Sequence, residues 1–397
     1  MKKLEKSVPV IRFKGFSEAW EQRKLRDIAN YRNGKAHEQV EDEDGKYTII
    51  NSKFISTNGK VQRYTNEQVE PIFDGEIAMV LSDLPNGKAL AKLFLVKEDG
   101  KYTLNQRIAG ITPNENIDPI FLNFRMNRNN YFLKFDSGVT QTNLSKSQVE
   151  NFIALYPTFD EQYKIGLFFT QLDDAIALHQ RKLEVLKLMK KGFLQQMVTK
   201  SGENIPKIRF DDFDDIWEQR ILGEFLKESK IKGSNGSLAK KLTVKLWRKG
   251  VVPKEEIYTG SSATQYYIRK TGQFMYGKLD FLNQAFGIVP LELDGYESTL
   301  DSPAFDIEES LNETFLLEYV SLARFYKYQG NIANGSRRAK RIHTDTFFEM
   351  PIPLPNSNEQ QKIGTFSRQI DDLIALQQNK LEKLSSLKRF YLKNMFI

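Results

Sequence analysis

Pro9-Val-Ile-Arg-Phe-Lys-Gly-Phe-Ser-Glu-Ala-Trp-Glu-Gln-Arg-Lys-Leu25 is followed, 197 residues later, by Pro206-Lys-Ile-Arg-Phe-Asp-Asp-Phe-Asp-Asp-Ile-Trp-Glu-Gln-Arg-Ile-Leu222. Ten positions match: Pro9, Ile11, Arg12, Phe13, Phe16, Trp20, Glu21, Gln22, Arg23 and Leu25 recur as Pro206, Ile208, Arg209, Phe210, Phe213, Trp217, Glu218, Gln219, Arg220 and Leu222. A second block repeats at an offset of 198. Glu161-Gln162, Lys164-Ile165-Gly166, Gln171, Asp173-Asp174 and Ile176-Ala177-Leu178 return as Glu359-Gln360, Lys362-Ile363-Gly364, Gln369, Asp371-Asp372 and Ile374-Ala375-Leu376. Between these blocks, residues 26–155 and 223–350 share almost nothing. A chain that alternates variable and constant segments reads as two unlike modules on one duplicated frame. The boundaries this predicts are 1–160 and 204–357 for the modules, and 161–203 and 358–397 for the repeated segments.

Each half has about 200 residues, enough for its own core. The 397 residues are 40% hydrophobic and 12% aromatic, as a folded globular protein requires. No apolar run approaches the ~20 residues of a membrane span, and charged Glu5 and Lys6 follow Met1-Lys2-Lys3 where a signal peptide would be apolar. The expected location is the cytoplasm. The chain has no cysteine, which excludes disulfides, thiolate nucleophiles and sulfur-ligated zinc. Its three histidines, His37, His179 and His343, lack metal-ligand spacing. The net charge of +7 and pI near 9.1 favour an anionic partner, and nucleic acid is the commonest one for a basic protein without a membrane segment.

The second repeated block has helical period with a heptad seam. Phe169, Ile176, Leu183, Lys190 and Met197 take position a, and Ile165, Leu172, His179, Leu186 and Phe193 take position d. The same frame in the second copy puts Ser367, Ile374, Leu381, Lys388 and Met395 at a, with Ile363, Ile370, Gln377, Leu384 and Tyr391 at d. The residues expected to pair the helices are Ile165, Leu172, Ile176, Leu183 and Leu186 with Ile363, Ile370, Ile374, Leu381 and Leu384, in an antiparallel coiled coil. Some 35 helical residues span roughly 50 Å, the length of a spacer. A lysine at one a position in each copy costs stability and specifies register.

The variable segments read as mixed α/β (α+β). Strands are expected over Glu76–Leu81, Leu90–Val96 and Arg107–Thr112, and near Leu242–Arg248, Gln273–Tyr276 and Ala285–Val289. Helices are expected over Pro119–Leu133 and Glu313–Tyr326, and a flexible loop at Lys232–Ser237. Asp44-Gly45-Lys46 and Asp99-Gly100-Lys101 read as hairpin turns.

Chemistry-bearing motifs are scarce. Gly272 to Lys278 has the spacing of a phosphate-binding loop, but Leu279 stands where a Ser or Thr must hold magnesium. Asp173-Asp174 and Asp371-Asp372 suit the start of a helix, where carboxylates complement the dipole. Neither a methyltransferase motif nor a nucleophilic triad is found. What the chain offers are polar and basic clusters. Arg337, Arg338, Lys340 and Arg341 place four cations in five residues, preceded by Arg324 and Lys327. At the corresponding place in the first half stand Thr140, Gln141, Thr142, Asn143 and Lys146. Gln141 and Asn143 have the amide groups that pair bidentately with adenine edges, and Ser145 suits a helix cap. Lys88, Gln106, Arg107, Lys278 and Asn283 complete the candidate DNA-binding set.

Together, the duplicated Pro-x-Ile-Arg-Phe-x-x-Phe-x-x-x-Trp-Glu-Gln-Arg, the Gly-x-Thr-Gln-Thr-Asn-Leu-Ser at 138–145, and Pro157 or Pro355 before Glu-Gln-x-Lys-Ile-Gly resemble the specificity subunit of type I restriction-modification systems. The resemblance covers essentially the whole chain, although the second half has Ser336-Arg337-Arg338 where the Thr-Gln-Thr-Asn-Leu-Ser pattern would fall. It implies two target-recognition domains alternating with two conserved helices paired antiparallel, each domain reading one half of an asymmetric, split DNA site. It implies no cofactor on this chain. The expected partners are double-stranded DNA, two methyltransferase subunits using S-adenosylmethionine, and two restriction and translocation subunits using ATP and Mg2+. A self-contained nuclease or methyltransferase, and a scaffold that bridges proteins without touching bases, are the competing classes.

Overall fold

The computed structural model describes residues 8–37, 39–200, 202–255, 261–332 and 341–396. It divides into two compact units, one formed by residues 1–180 with 380–397 and the other by residues 181–379.

The first unit is built on a four-stranded sheet in the order Ala29–Asn33, Ile108–Pro113, Ile77–Val80, Leu93–Leu95, antiparallel throughout. Ile77–Val80 is buried at every position because it lies inside the sheet with both faces covered. A second sheet runs Tyr64–Thr65, Tyr47–Ile50, Tyr102–Leu104, Pro71–Ile72, its central pair parallel. Trp20, Ile28, Met79, Ile111, Phe121, Phe132, Phe152 and Phe169 share one core, where each fully buried side chain contributes roughly 1.5–3 kcal/mol. The expected helix over Pro119–Leu133 is two helices, Pro119–Met126 and Asn130–Leu133, because Arg128 has a left-handed backbone with φ 48°.

The second unit repeats that strand order with Leu226–Ser229, Ala304–Ile307, Phe274–Tyr276 and Phe286–Ile288. Its core is more aromatic, with Phe274, Tyr276, Phe281, Phe305 and Phe347 in mutual ring contact. The segment from Gly272 to Lys278 is therefore strand and strand end. Lys232–Ser237 differs from expectation: Lys232–Asn235 is a strand paired with Gln265–Ile268. Glu297 fixes it by accepting hydrogen bonds from the Ser234 amide at 2.7 Å and hydroxyl at 2.9 Å. A Cβ at Gly233 would meet that carboxylate at 2.3 Å. The Asp-Gly-Lys sequences also differ, since the strands that flank each turn lie in different sheets and neither turn closes a hairpin.

The repeated residues find one another inside each unit. Strand Glu21–Lys24 pairs with Ile153–Tyr156, and Glu218–Ile221 with Pro351–Leu354. Arg12 grips Glu161 through Nε and Nη2, both at 2.7 Å, and Arg209 grips Glu359 in the same fashion at 2.8 Å. Gln162 donates to the Pro157 carbonyl and accepts from the Asp118 amide; Gln360 does so with Pro355 and Asn312. Lys164 lies 4.7 Å from the Phe16 ring centre and Lys362 lies 5.1 Å from that of Phe213. A Cβ at Gly166 or Gly364 would fall within 2.8 Å of the side chain of Asp118 or Asn312, so close approach requires glycine at both.

Two long helices, Phe159–Met197 and Ser357–Asn394, carry the second repeated block. Of the expected pairing residues, Ile165, Leu172, Leu183, Ile363 and Ile370 are buried, and Ile176, Leu186, Ile374, Leu381 and Leu384 are half-buried. Within the first unit Phe168 meets Tyr391, Phe169 meets Phe396, and Asp173 binds Lys388 at 2.5 Å. Within the second, Phe193 meets Phe366 and Lys190 binds Asp371 at 2.5 Å. The first aspartate of each Asp-Asp pair is thus the partner of a seam lysine. Both lie more than ten residues into their helices, beyond reach of the dipole end.

Candidate nucleic-acid interface

Backbone pairing draws three separate stretches of the first unit to one sheet end. Ser82–Asp83, which continues the chain from the buried strand Ile77–Val80, pairs with Thr142–Asn143. The Leu81 amide donates to the Arg107 carbonyl at 3.0 Å, and the Leu144 amide to the Leu81 carbonyl at 2.8 Å. Asp83 shapes the turn at 84–88 by accepting from the amides of Leu84, Ala89 and Leu90. Asn86 then donates to the Gly138 carbonyl at 3.2 Å. Lys88, Gln106, Arg107, Thr140, Gln141, Asn143 and Lys146 are all exposed at or beside this junction.

Not every one of these side chains is equally available. Thr142 is buried and its hydroxyl donates to Asp136 at 3.3 Å, so it shapes the loop. Gln141 donates to the Ser82 hydroxyl at 2.7 Å through Nε2. Lys146 stands 3.6 Å from Glu150 in the helix that Ser145 caps. Arg107 lines an open cleft of about 370 Å³ with Asn51, Ser52, Lys53, Arg63 and Gln106. Lys53 and Arg63 escape a reading of the sequence because they lie some fifty residues away. The Asn105 amide on the Ile50 carbonyl and the Ile49 amide on the Arg63 carbonyl bring them in. Arg63 is held by Glu41 at 2.9 Å. His37 is buried, with ring nitrogens near the Lys35 carbonyl and the Thr103 hydroxyl, a structural role.

In the second unit, Lys278 follows strand Phe274–Tyr276, which holds the same place in its sheet as Ile77–Val80. Its amide donates to the Asp301 carbonyl at 2.9 Å, and its own carbonyl accepts from the Ile342 amide at 3.0 Å. Arg341 pairs with the Asp301 carboxylate at 3.1 Å. The Lys278 ammonium is held below its usual range, first by burial and then by Lys230 and Arg341, against the pull of Glu228 and Asp301. Two of the three cations at this strand end are already paired, Lys230 with Glu228 at 2.8 Å and Arg341 with Asp301, which leaves Lys278 the one without a carboxylate of its own among these groups. Arg337, Arg338 and Lys340 lie outside the described residues.

The remaining candidates separate from this cluster. Asn283 donates to Asp280 at 3.3 Å within its own turn. Lys327 is exposed in a cleft with Lys187, Lys191, Arg248 and Glu318. Arg324, named as a DNA contact, is engaged by the backbone of its own unit. Its guanidinium donates to the carbonyls of Val198 at 2.9 Å and Gln195 at 3.3 Å, closing the end of the long helix where carbonyls lack intrahelical partners. Among the described residues no group of His, Asp or Glu is arranged to hold a metal, and no helix is long and apolar enough to cross a membrane.

Residues 17–188 and 304–386 match the type I restriction modification DNA specificity domain family. The chain is 22% identical over 395 residues to the type I restriction enzyme MjaVIII specificity subunit of Methanocaldococcus jannaschii, covering 94% of this chain and 91% of that protein. Among solved structures, the S subunit of a type I restriction-modification system from M. genitalium is similar with a TM-score of 0.63 at 13% identity, over 98% of this chain and 99% of that one. A second structure, from work on complex assembly and conformational transition of the type I system, gives 0.54 at 16% identity over 94% and 96%. Both share the fold of this chain. With the duplicated clamps, the polar sheet ends and a family match over more than half its length, the chain belongs to the type I restriction-modification DNA specificity subunits.

Proposed function

We propose that this chain is a non-catalytic, cytoplasmic targeting subunit in which each variable segment reads one half of an asymmetric, bipartite DNA site. The observation that carries this reading is the convergence of 82–88, 105–107 and 137–146 on one exposed sheet end, with Lys278 and Arg341 at the matching strand end of the other unit. Amides and cations on short, backbone-fixed loops suit contact with base edges and phosphates. The domain boundaries proposed are 1–160 and 204–357 for recognition, with 161–203 and 358–397 as helical spacer. The two long helices form an antiparallel coiled coil in a pseudo-twofold tandem repeat. That pairing is supported inside each unit, where contacts climb one helix as they descend the other. The subunit directs adenine methylation by two methyltransferase subunits that carry S-adenosylmethionine, and cleavage by two motor and nuclease subunits that use ATP and Mg2+.

Exchange of residues 26–155 for the equivalent segment of a relative, followed by mapping of methylated adenines, is expected to change one half of the modified sequence and leave the other. A change in both halves, or in neither, overturns the modular reading. Lys88→Ala with Arg107→Ala is expected to weaken duplex binding and to lower the slope of log affinity against log salt by about 0.9 for each phosphate contact removed. Anisotropy titrations between roughly 50 and 200 mM salt measure this, and an unchanged slope would move the phosphate contacts elsewhere.

A further inference from the structure

The chain has three tryptophans, and two are core residues, Trp20 at 3% and Trp217 at 1% exposure. Trp247 is 58% exposed. It sits at the tip of a hairpin whose strands, Leu242–Val244 and Val251–Pro253, pair antiparallel. The Lys245 amide closes the loop on the Gly250 carbonyl at 2.9 Å. Trp247 and Arg248 both adopt left-handed backbone, with φ of 58° and 56°. Two consecutive non-glycine residues in that region persist only where surrounding contacts impose it.

Those contacts are present. The amides of Trp247 and Arg248 donate to the carbonyls of Asn283 at 2.8 Å and Gln284 at 3.0 Å. Arg248 forks onto Glu318 at 2.5 and 2.8 Å, and Glu318 is held in turn by Lys190 at 3.0 Å and the Ser367 hydroxyl at 2.6 Å. A rigid base thus carries a large ring out into solvent. Lys245 and Lys249 flank it, both exposed, and Lys187, Lys191 and Lys327 line the cleft against Arg248. An aromatic ring among cations matches the face of a base and the phosphates beside it.

Resting on the DNA-reading function above, we infer that Trp247 is a wedge: its indole enters an opened base step of the target duplex and stacks on the base face so exposed, while Lys245 and Lys249 neutralise phosphates alongside. An uncharged protein pocket would take the ring but not the lysines.

The test uses the full chain assembled with its methyltransferase subunit and a fluorescein-labelled duplex carrying the site found by methylation mapping. Trp247→Asn keeps a residue that tolerates left-handed backbone while removing the ring, and Trp247→Phe restores a ring. Trp247→Asn is expected to weaken binding roughly ten- to hundredfold, the range of one base stacked on an aromatic side chain, and Trp247→Phe to recover most of it. Unlabelled duplex should quench the long-wavelength tryptophan emission of the parent complex, and that quenching should vanish in both variants. Trp247→Asn affinity within twofold of the parent, or quenching that persists in the variants, overturns the inference and leaves the DNA reading standing. Failure of the parent complex to bind the duplex would sink that reading instead. If Trp247→Asn releases the methyltransferase subunit while duplex affinity of the assembled complex is unchanged, Trp247 is a protein contact and the inference falls.

Discussion

Glu359→Ala is expected to destabilise the second unit by about 3–5 kcal/mol, the range for removing one partner from a buried ion pair. Its side chain is 1% exposed and accepts Arg209 Nε and Nη2 at 2.8 Å, together with Trp217 Nε1 at 3.1 Å. Removing it strands a largely buried guanidinium, 11% exposed, and a fully buried indole N–H. Glu161→Ala, the equivalent change in the first unit, should cost less. Glu161 accepts only Arg12 among these groups, and the buried Trp20 Nε1 has no partner among the described residues. The difference corresponds to one hydrogen bond to a charged acceptor, about 1.5–3 kcal/mol. Urea unfolding of both variants measures it. Equal losses would show that the Trp217 bond adds nothing, and a Glu359→Ala loss below about 1 kcal/mol would show that the clamp is not what fastens the segment around Arg209 to the long helix.

These clamps explain why the duplicated residues were so informative. Arg12 and Glu161 lie in different repeated blocks, and so do Phe16 and Lys164, so both sides of these two contacts recur in the second half. Burial at Ile165, Leu172, Ile363 and Ile370 falls on the helical period that the sequence carries, and Ile165 and Ile363 join the cores of their own units. The strands at Ile77–Val80 and Ile108–Pro113 were legible from their apolar runs. Three features were not, and each depends on a residue far away in sequence. The strand at Lys232–Asn235 has glycine and serine where strands usually carry branched side chains, and it exists because Glu297 reaches across to it. The role of Arg324 is fixed by carbonyls more than a hundred residues earlier. The cleft around Arg107 assembles Lys53 and Arg63 through pairing of a neighbouring sheet. In the site itself, the sequence pointed to Lys88, Gln106, Arg107 and the 140–146 stretch separately. Their juxtaposition required the short pairing of Ser82–Asp83 with Thr142–Asn143, two-residue strands with no periodicity to read.

Glu318→Gln is expected to destabilise the second unit by a similar ~3–5 kcal/mol and to remove a distinct acid-sensitive step. Burial by itself would push the Glu318 carboxyl up, but the Arg248 fork, Lys190 and the Ser367 hydroxyl reverse this and hold it at about 2, against an ordinary 4.5. The unfolded chain therefore binds a proton as the pH falls below about 4.5, whereas the folded chain resists until about 2. Its stabilisation, roughly 3 kcal/mol, is complete above the ordinary value and drains away between about pH 4.5 and 2. Glutamine can still meet Ser367 but cannot neutralise Arg248 and Lys190, so the variant should lose stability at neutral pH and show a flatter profile across that acid window. Lys190 makes the result more than local. It is one of the polar residues in the heptad frame of its helix, beside His179, and it binds Asp371 of the other long helix as well as Glu318. If the seam lysine owes its place to Glu318, unfolding midpoints of Glu318→Gln and of a Lys190→Met, Glu318→Gln double variant should differ in favour of the double, since an apolar seam then replaces an unmatched charge. A double variant less stable than the single would assign Lys190 to Asp371 alone. An acid profile of Glu318→Gln parallel to that of the parent would remove Glu318 as the source of the step.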